Sequence, residues 1–166
     1  MGSGKSYIGK LIADKLQLPF VDLDCMIEAA DQDSIPNIFA DKGESYFRQQ
    51  EAKILRNLPA EAPFILATGG GTPCFFDNMS YLLQNFTCFY LKPSRDLLEK
   101  RLLADLKSRP LLKDCTSAQD LSNLFSELEK QRAPYYEKSH FTLTFDEKSQ
   151  LSIPDELQRF IESAGK

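Results

Sequence analysis

The feature that most limits what this chain can fold into is a glycine-rich stretch, 2–6, that leads straight into a helical pattern. It reads Gly-Ser-Gly-Lys-Ser and matches the last part of G-x-x-x-x-G-K-[ST], with apolar residues at helical spacing over 5–16. Glycines let backbone N–H groups surround phosphate oxygens, and the helix N-terminus adds partial positive charge. Lys5 is expected to reach nucleotide phosphates and Ser6 to bind Mg²⁺. A flexible linker end is the alternative.

Short apolar runs alternate with helical patterns along the rest of the chain. Strands are predicted at 20–23, 64–67, 86–91 and 141–145, and helices at 34–40, 44–58, 77–84, 94–105 and 117–132, with a last helix opening at Pro154. Strands separated by helices indicate a parallel sheet with helices on both faces, and ligands bind at the carboxyl ends of such strands. The predicted fold class is α/β, in three α/β/α layers.

Composition narrows the class of protein. A chain of 166 residues, 42% hydrophobic and 27% charged, is the size and mixture of one globular domain. Its net charge of −4 argues against a nucleic-acid partner. The absence of a long apolar run argues against a membrane span, and a cytoplasmic protein is expected. Four scattered cysteines and one histidine do not suit a zinc site, and the thiols are expected to be reduced and mostly buried.

Polar residues follow the predicted strands where a substrate would bind. As strand residues two positions apart, Asp22 and Asp24 share one face of the strand. One carboxylate can then approach the metal, and the other can approach a substrate hydroxyl. The alternative is an ordinary acidic turn at the end of the strand. The triple glycine at 69–71 would let a substrate approach the backbone closely. Arg48 alone could be a solvated surface arginine, and Arg132 could simply be the charge at a helix C-terminus before a proline.

Together these residues resemble the shikimate kinase family over nearly the whole chain. The resemblance rests on the glycine-rich loop, Phe-x-Asp-x-Asp at 20–24, Gly-Glu-x-x-Phe-Arg at 43–48, Glu51, Ala-Thr-Gly-Gly-Gly at 67–71, Arg-Pro-Leu-Leu at 109–112 and Arg-x-x-x-Tyr at 132–136. It implies a single P-loop kinase domain over 1–166, with a mainly five-stranded parallel sheet, a substrate-binding region at about 24–60 and a lid at about 106–117. The implied activity is ATP-dependent phosphorylation of the 3-hydroxyl of shikimate by a monomer.

The resemblance also implies a role for each matching residue. Catalysis would fall to Lys5, Asp24 and the lid residue Arg109, and the metal would lie near Ser6 and Asp22. ATP would be bound by Gly2, Ser3, Gly4, Lys5, Ser6, Tyr7, Arg101, Arg109 and Pro154. Shikimate would be bound by Asp24, Arg48, Gly69, Gly70, Gly71 and Arg132. Another small P-loop kinase, for gluconate or a nucleoside monophosphate, is the first alternative, and a nucleotide-binding protein without turnover is the second.

The first strand of that fold is expected to be missing from this chain. A full phosphate loop has its first glycine five positions before Gly4, and a strand of about six residues must feed it. Met1 is therefore predicted to be an internal methionine of the loop, with the native product beginning roughly ten residues earlier. The chain as given is expected to be poorly soluble or inactive.

Overall fold

The computed structural model describes residues 2–59, 62–103 and 118–146. Seven helices lie in these ranges: α1 Lys5–Leu16, α2 Leu23–Asp31, α3 Ile35–Asp41, α4 Gly43–Arg56, α5 Asn78–Asn85, α6 Arg95–Leu103 and α7 Ala118–Tyr136. Four strands accompany them: β1 Phe20–Asp22, β2 Ile65–Ala67, β3 Phe89–Pro93 and β4 Phe141–Phe145. A short 3₁₀ helix spans Thr72–Cys74. The predicted α/β class is confirmed, whereas the predicted lid and the last helix lie outside the described residues.

The helix at 5–16 has its predicted bounds, but three other expectations are corrected. The strand predicted at 20–23 ends one residue earlier, at Asp22. Asp22 caps helix α2, which begins at Leu23. The helix at 117–132 does not stop before Pro134 but continues to Tyr136, since a proline removes only one N–H from its last turn. The strand at 86–91 begins later, because the Phe86 N–H still bonds to α5 and the Cys88 N–H bonds to the His140 ring.

The strands form two parallel pairs. In the first, Phe20, Val21 and Asp22 of β1 lie opposite Ile65, Leu66 and Ala67 of β2. In the second, β3 pairs along its whole length with β4, from Phe89 opposite Phe141 to Pro93 opposite Phe145. No ladder joins the two pairs within the described ranges. The sheet is thus present as two halves, and parallel pairing gives the strands of each pair a common carboxyl end.

Each half-sheet has its own hydrophobic core. The larger core packs α2, α3, α4 and α5 beside the β1–β2 pair, through Leu23, Ile27, Ile38, Phe47, Leu55, Leu58 and Leu82. The smaller core packs α1 and α6 on the β3–β4 pair, through Ile8, Leu97, Leu143 and Phe145. Because α1 contacts both β1 and β2 as well, this helix ties the two halves together, and the glycine-rich loop at its start is held between them.

Two predictions from composition can be compared with the described residues. Cys25, Cys74 and Cys88 are free thiols, as predicted, but Cys25 is exposed and the other two are only half-buried, so the expectation that they are mostly buried is wrong. In the part of the chain that the structure describes, no helix is both long and apolar enough to cross a membrane.

Truncating the larger core gives a direct test of this packing. Leu55→Ala should lower the free energy of unfolding by about 2–5 kcal/mol, because the Leu55 side chain is fully buried and its loss leaves a cavity. The exposed Lys53→Ala on the same helix is the matched control and should change it by no more than about 0.5 kcal/mol. Urea unfolding followed by circular dichroism measures both. Equal effects would contradict the assigned core.

Candidate functional site at the carboxyl ends of the strands

The glycine-rich loop adopts a conformation that only glycine takes without strain. Gly2 and Gly4 have φ of 68° and 83°, in the left-handed region. The Ile8 N–H donates to the Gly4 carbonyl over 2.9 Å, so the helix begins immediately after the loop. The Arg101 guanidinium donates to the Gly2 carbonyl over 3.0 Å. Arg101 therefore lies against the loop backbone, and the predicted stacking of this arginine on adenine stays a prediction.

Asp22 joins the loop to the end of β1. Its carboxylate accepts a 2.7 Å hydrogen bond from the Ser6 hydroxyl and a 3.1 Å bond from the Asp24 backbone N–H. The second bond caps helix α2. The two aspartates are thus close, but not because they share a strand face, as predicted. A helix turn brings them together, with Asp22 as the cap and Asp24 in the first turn.

The Asp24 carboxyl group is partly buried, in the first turn of α2. Burial raises the pKa of Asp24 above its ordinary value of 3.8, and the nearby charge of Asp22 raises it further. The positive charges of Lys5 and Arg48 act in the opposite direction. Asp24 therefore lies within electrostatic reach of both the phosphate-loop lysine and the α4 arginine, which makes it a group that can hold or release a proton between them.

Arg48 is buried, with only 6% of its surface exposed, so it is not the solvated arginine that the sequence left open. Its guanidinium bonds twice to Glu44, at 3.0 and 3.1 Å, and once to Glu51 at 3.1 Å. It also packs on the ring of Phe75, 4.5 Å from the centroid. Three of its five N–H donors are used in these bonds, so two remain to bind a planar anion.

Glu51 anchors this arginine from the inside of the protein. Its side chain is fully buried, and it accepts from Arg48 and from the Thr72 hydroxyl, the latter over 2.5 Å. Burial raises the pKa of Glu51, while the bonds from Thr72 and Arg48 oppose that shift. Glu51 appears in the family resemblance without a role. The three-residue spacing of Arg48 and Glu51 on one helix is the sequence signal that indicates their contact.

Two glycines of the triple-glycine run leave space for neighbouring charged side chains. A Cβ on Gly71 would lie 2.5–2.7 Å from the Arg48 guanidinium, and one on Gly69 would lie 2.9 Å from Glu51 and 3.0 Å from Asp24. Gly71 has an ordinary φ of −91°. These two glycines therefore make room for the protein's own charged side chains, and close approach of a ligand to this backbone stays a prediction.

A second arginine, Arg132 on helix α7, lies in the same region as Arg48. Arg132 lies close enough to the Tyr136 hydroxyl to affect its pKa, and that hydroxyl donates to the Gly70 carbonyl. Burial raises the pKa of Tyr136, while the charges of Arg132 and Arg48 lower it. Both arginines also lower the pKa of Cys74, which burial raises. The two guanidinium groups thus act on one small region beside the glycine run. Tyr136 lies in this region, and the sequence assigned it no role.

The remaining predicted site residues are more peripheral or undescribed. Ser3 is a half-buried residue of the loop itself, and Tyr7 is 50% exposed on α1. Arg109 and Pro154 lie outside the described residues. Across 2–59, 62–103 and 118–146, no three acidic, histidine or cysteine side chains cluster as a metal site. A metal at this edge of the sheet would therefore rely on Ser6 and Asp22, together with groups from a bound nucleotide.

Comparisons with known proteins agree with this geometry. The shikimate kinase family model matches residues 1–162. A shikimate kinase from Parabacteroides distasonis is 38% identical over 155 residues, which are 93% of this chain and 88% of that protein. The solved structure of a shikimate kinase from Acinetobacter baumannii in complex with shikimate superimposes with a TM-score of 0.86 at 32% identity, over 99% of this chain and 89% of that one. The solved structure of a shikimate kinase from Bacteroides thetaiotaomicron superimposes with a TM-score of 0.85 at 31% identity, over 98% of this chain and 94% of that one.

The raised pKa of Asp24 predicts that this carboxylate costs stability. In the folded protein its ionised form is disfavoured, so the cost is present at neutral pH and disappears as the pH falls through the folded-state pKa. Asp24→Asn should therefore raise Tm at pH 7, by about 2–4 °C for each kcal/mol regained, with the gain shrinking on acidification. Asp22→Asn is the matched control: it weakens the bonds to Ser6 and the α2 N-terminus and should lower Tm. Thermal unfolding at several pH values measures both, and a lower Tm for Asp24→Asn would contradict the environment described.

Proposed function

Because this chain belongs to the shikimate kinase family, we propose that it transfers the γ-phosphoryl group of ATP to the 3-hydroxyl of shikimate, giving shikimate 3-phosphate. The observation that carries the proposal is the convergence of three kinds of group at one edge of the sheet. A phosphate-binding loop, a partly buried carboxylate and two arginines all lie at the carboxyl ends of β1 and β2. Such a site can hold a nucleotide and a carboxylated polyol together.

The nucleotide phosphates are proposed to lie over the loop at the start of α1. The backbone N–H groups of Gly2, Ser3, Gly4, Lys5, Ser6 and Tyr7 would surround them, with Lys5 supplying a full positive charge. Arg101 lies next to this loop through its bond to Gly2, so it can contribute charge or stack on the base. Arg109 is proposed as the lid arginine over the γ-phosphate, and Pro154 as a contact of the adenine.

The donor set fits Mg²⁺ at Ser6 and Asp22. A hydroxyl and a carboxylate that are 2.7 Å apart are the oxygen ligands this cation prefers, directly or through water. When bound, the ion neutralises charge on the phosphates during transfer. Asp22 already orients Ser6, so the pair is set before any ligand arrives.

Asp24 is proposed to hold the shikimate hydroxyl that accepts the phosphoryl group. Phosphoryl transfer needs little covalent help, so the main contribution of the protein is to place this hydroxyl in line with the γ-phosphate. Asp24 lies within reach of the charge of Lys5, and its raised pKa makes it a better proton acceptor than an ordinary aspartate. It can therefore orient the hydroxyl and take its proton as the bond forms.

Arg48 and Arg132 are proposed to bind the shikimate carboxylate from two sides, with Gly69, Gly70 and Gly71 forming the wall between them. Arg48 is locked by Glu44 and Glu51, which leaves its remaining N–H groups aimed in a set direction. Bidentate guanidinium–carboxylate pairs are strong and geometrically selective. The same charges also suit gluconate, so substrate choice rests on Asp24 and the shape of the glycine wall.

A coupled assay of ADP release tests the activity. The purified chain with Mg²⁺ and ATP should release ADP only when shikimate is added, and ³¹P NMR of the product should show a phosphate monoester on the 3-hydroxyl. Gluconate and nucleoside monophosphates are the comparison substrates. Faster turnover with one of them would replace the proposal by another P-loop kinase. ATP binding without ADP release from any substrate would favour a nucleotide-binding protein without turnover.

Arg132→Ala should raise the KM for shikimate while the KM for ATP stays nearly unchanged. Removing one partner of a buried charge pair costs about 2–5 kcal/mol, which corresponds to a rise of roughly 30-fold or more. The exposed Lys130→Ala on the same helix is the control for a lost positive charge. Steady-state kinetics with each substrate varied in turn measure both variants. A shikimate KM within twofold of the parent would contradict the carboxylate role of Arg132.

Asp24→Asn should retain ATP binding but lose turnover by about 100-fold or more, because the amide keeps the shape and loses the proton acceptor. In the parent, kcat should fall on the acid side as Asp24 is protonated, and this fall should begin at a higher pH than an ordinary aspartate would give. Asp14→Asn, on the exposed face of α1, is the matched control. Turnover near the parental rate would remove Asp24 from the mechanism.

Several finer expectations stay predictions. These are the monomeric state, the cytoplasmic location, the absence of nucleic-acid and membrane partners, the substrate-binding region at about 24–60 and the lid at about 106–117. The lid would close over ATP and shikimate together, so hydrogen exchange across 106–117 should slow only when both are present.

A further inference from the structure

A tight turn over 75–78 follows the 3₁₀ helix and has two residues in the left-handed region. The Asn78 N–H donates to the Phe75 carbonyl over 2.9 Å, which closes the turn. The two central residues, Phe76 and Asp77, have φ of 47° and 52°. Positive φ at both central positions is typical of a type I′ turn, which favours Asn and Gly. Because Phe76 has a bulky side chain, its backbone is strained there and must be held by contacts from outside the turn.

Arg56, the last residue of α4, supplies those contacts. Its guanidinium donates to the Phe76 carbonyl over 2.7 Å, to the Asp77 carboxylate over 2.9 Å and to the Asn78 side-chain carbonyl over 2.7 Å. A further bond, to the Ala52 carbonyl over 3.0 Å, fixes the arginine to its own helix. One side chain therefore holds three consecutive residues of the turn, which the rigid fork of donors on a guanidinium allows.

The residue that this turn places is Phe75. Its ring lies on the face of the Arg48 guanidinium, with 4.5 Å between the ring centroid and Cζ. An aromatic ring on one face of a guanidinium leaves the N–H groups in the plane of that group free to bond an anion. The ring also keeps water from that face, and a charge-assisted bond is stronger where water is excluded. Phe75 therefore determines the surroundings in which Arg48 would meet a carboxylate.

Arg48 itself is fixed from the inside of the protein, by a network that also reaches the turn. The buried Asn78 amide donates to the Thr72 carbonyl over 2.9 Å. The Thr72 hydroxyl bonds to Glu51, which pairs with Arg48. Because Glu51 holds Arg48 directly, a shift of the turn changes the position of the Phe75 ring and leaves the guanidinium in place.

From this geometry we infer that Arg56 is a positioning residue for the carboxylate-binding side of the site. By holding the turn over 75–78, it keeps the Phe75 ring on Arg48. Arg56 lies about two turns of α4 away from Arg48 and acts on it only through that ring. Phe75 thereby sets the affinity for a planar carboxylate. The inference rests on the proposed function for the identity of the substrate, and on the described contacts for the position of the ring.

Steady-state kinetics of Arg56→Ala give the first test. The KM for shikimate should rise about fivefold or more, while kcat and the KM for ATP change by less than about twofold, because the lost contact acts equally on bound substrate and transition state. Arg56→Lys keeps the charge but lacks the planar fork, so it should behave like Arg56→Ala. The exposed Lys53→Ala is the charge control, and the core variant Leu55→Ala is the stability control. Both should leave the shikimate KM within about twofold of the parent.

A repaired turn separates positioning from a general loss of stability. Phe76→Asn and Asp77→Gly together give the turn the residues that its φ values favour, so it should hold its shape without Arg56. Added to Arg56→Ala, these two changes should return the shikimate KM to within about twofold of the parent. Phe75→Leu should raise the KM as Arg56→Ala does, and the two combined should raise it no further, since both remove the same contact.

The position of the ring can also be measured without substrate. In ¹⁵N NMR spectra of the arginine side chains, the ring current of Phe75 shifts the Arg48 Nε–H signal, which Arg48→Lys identifies. Arg56→Ala should move this signal toward its position in Phe75→Leu, and the repaired turn should move it back.

Three results would overturn the inference. The first is a shikimate KM within about twofold of the parent, or a fall in kcat in its place, in Arg56→Ala; if that variant does not fold, Arg56→Lys decides. The second is a KM that stays raised after the turn is repaired or that rises additively with Phe75→Leu. The third is an unmoved Arg48 signal in Arg56→Ala. If the parent releases no ADP with shikimate, the proposed function is refuted, and the Arg48 signal still decides whether Arg56 places the ring.

Discussion

The rest of the site depends on the pairing of the buried Glu51 carboxylate with Arg48 and Thr72. A charge removed from water costs several kcal/mol unless it is paired and hydrogen-bonded, and Glu51 achieves both through Arg48 and Thr72. The bond from Thr72 ties helix α4 to the 3₁₀ helix that follows the glycine run, and the bond from Arg48 lies within α4. They fix Arg48 against Gly71 and leave no space for a larger residue there. The arginine side of the site is therefore part of the core packing.

Two aspartates that are two residues apart show how environment divides chemical roles. Asp22 accepts from Ser6 and from the first turn of α2, so its charge is satisfied by donors and lies next to the phosphate loop. Burial raises the pKa of Asp24, and the neighbouring charge of Asp22 raises it further. In the proposed mechanism, the first carboxylate holds the metal and the second holds the acceptor hydroxyl. The two proposed roles differ although both residues are aspartates.

The sequence predicted the loop, the first helix and the α/β class because glycine chemistry and helical periodicity are local signals. It missed α2, since Phe-Val-Asp-Leu-Asp alternates like a strand while Asp22 in fact caps a helix. It also ended α7 too early at Pro134. The sequence named Asp24, Arg48 and Arg132 as site residues, and the structure places Arg48 within electrostatic reach of Asp24 and in the same region as Arg132. The spacing of Arg48 and Glu51 on one helix indicates their contact, whereas the bond from Thr72 to Glu51 joins positions 21 residues apart, which no local pattern indicates.

What the sequence determined by itself is the set of chemical groups and their order: a phosphate loop, paired carboxylates, a glycine run and two arginines. The tertiary structure decided how they are used. It placed charged side chains against Gly69 and Gly71 and brought Arg48 and Arg132 to the same region. These outcomes depend on which distant segments pack together, and packing is set by the shape and burial of both partners, which no local pattern contains.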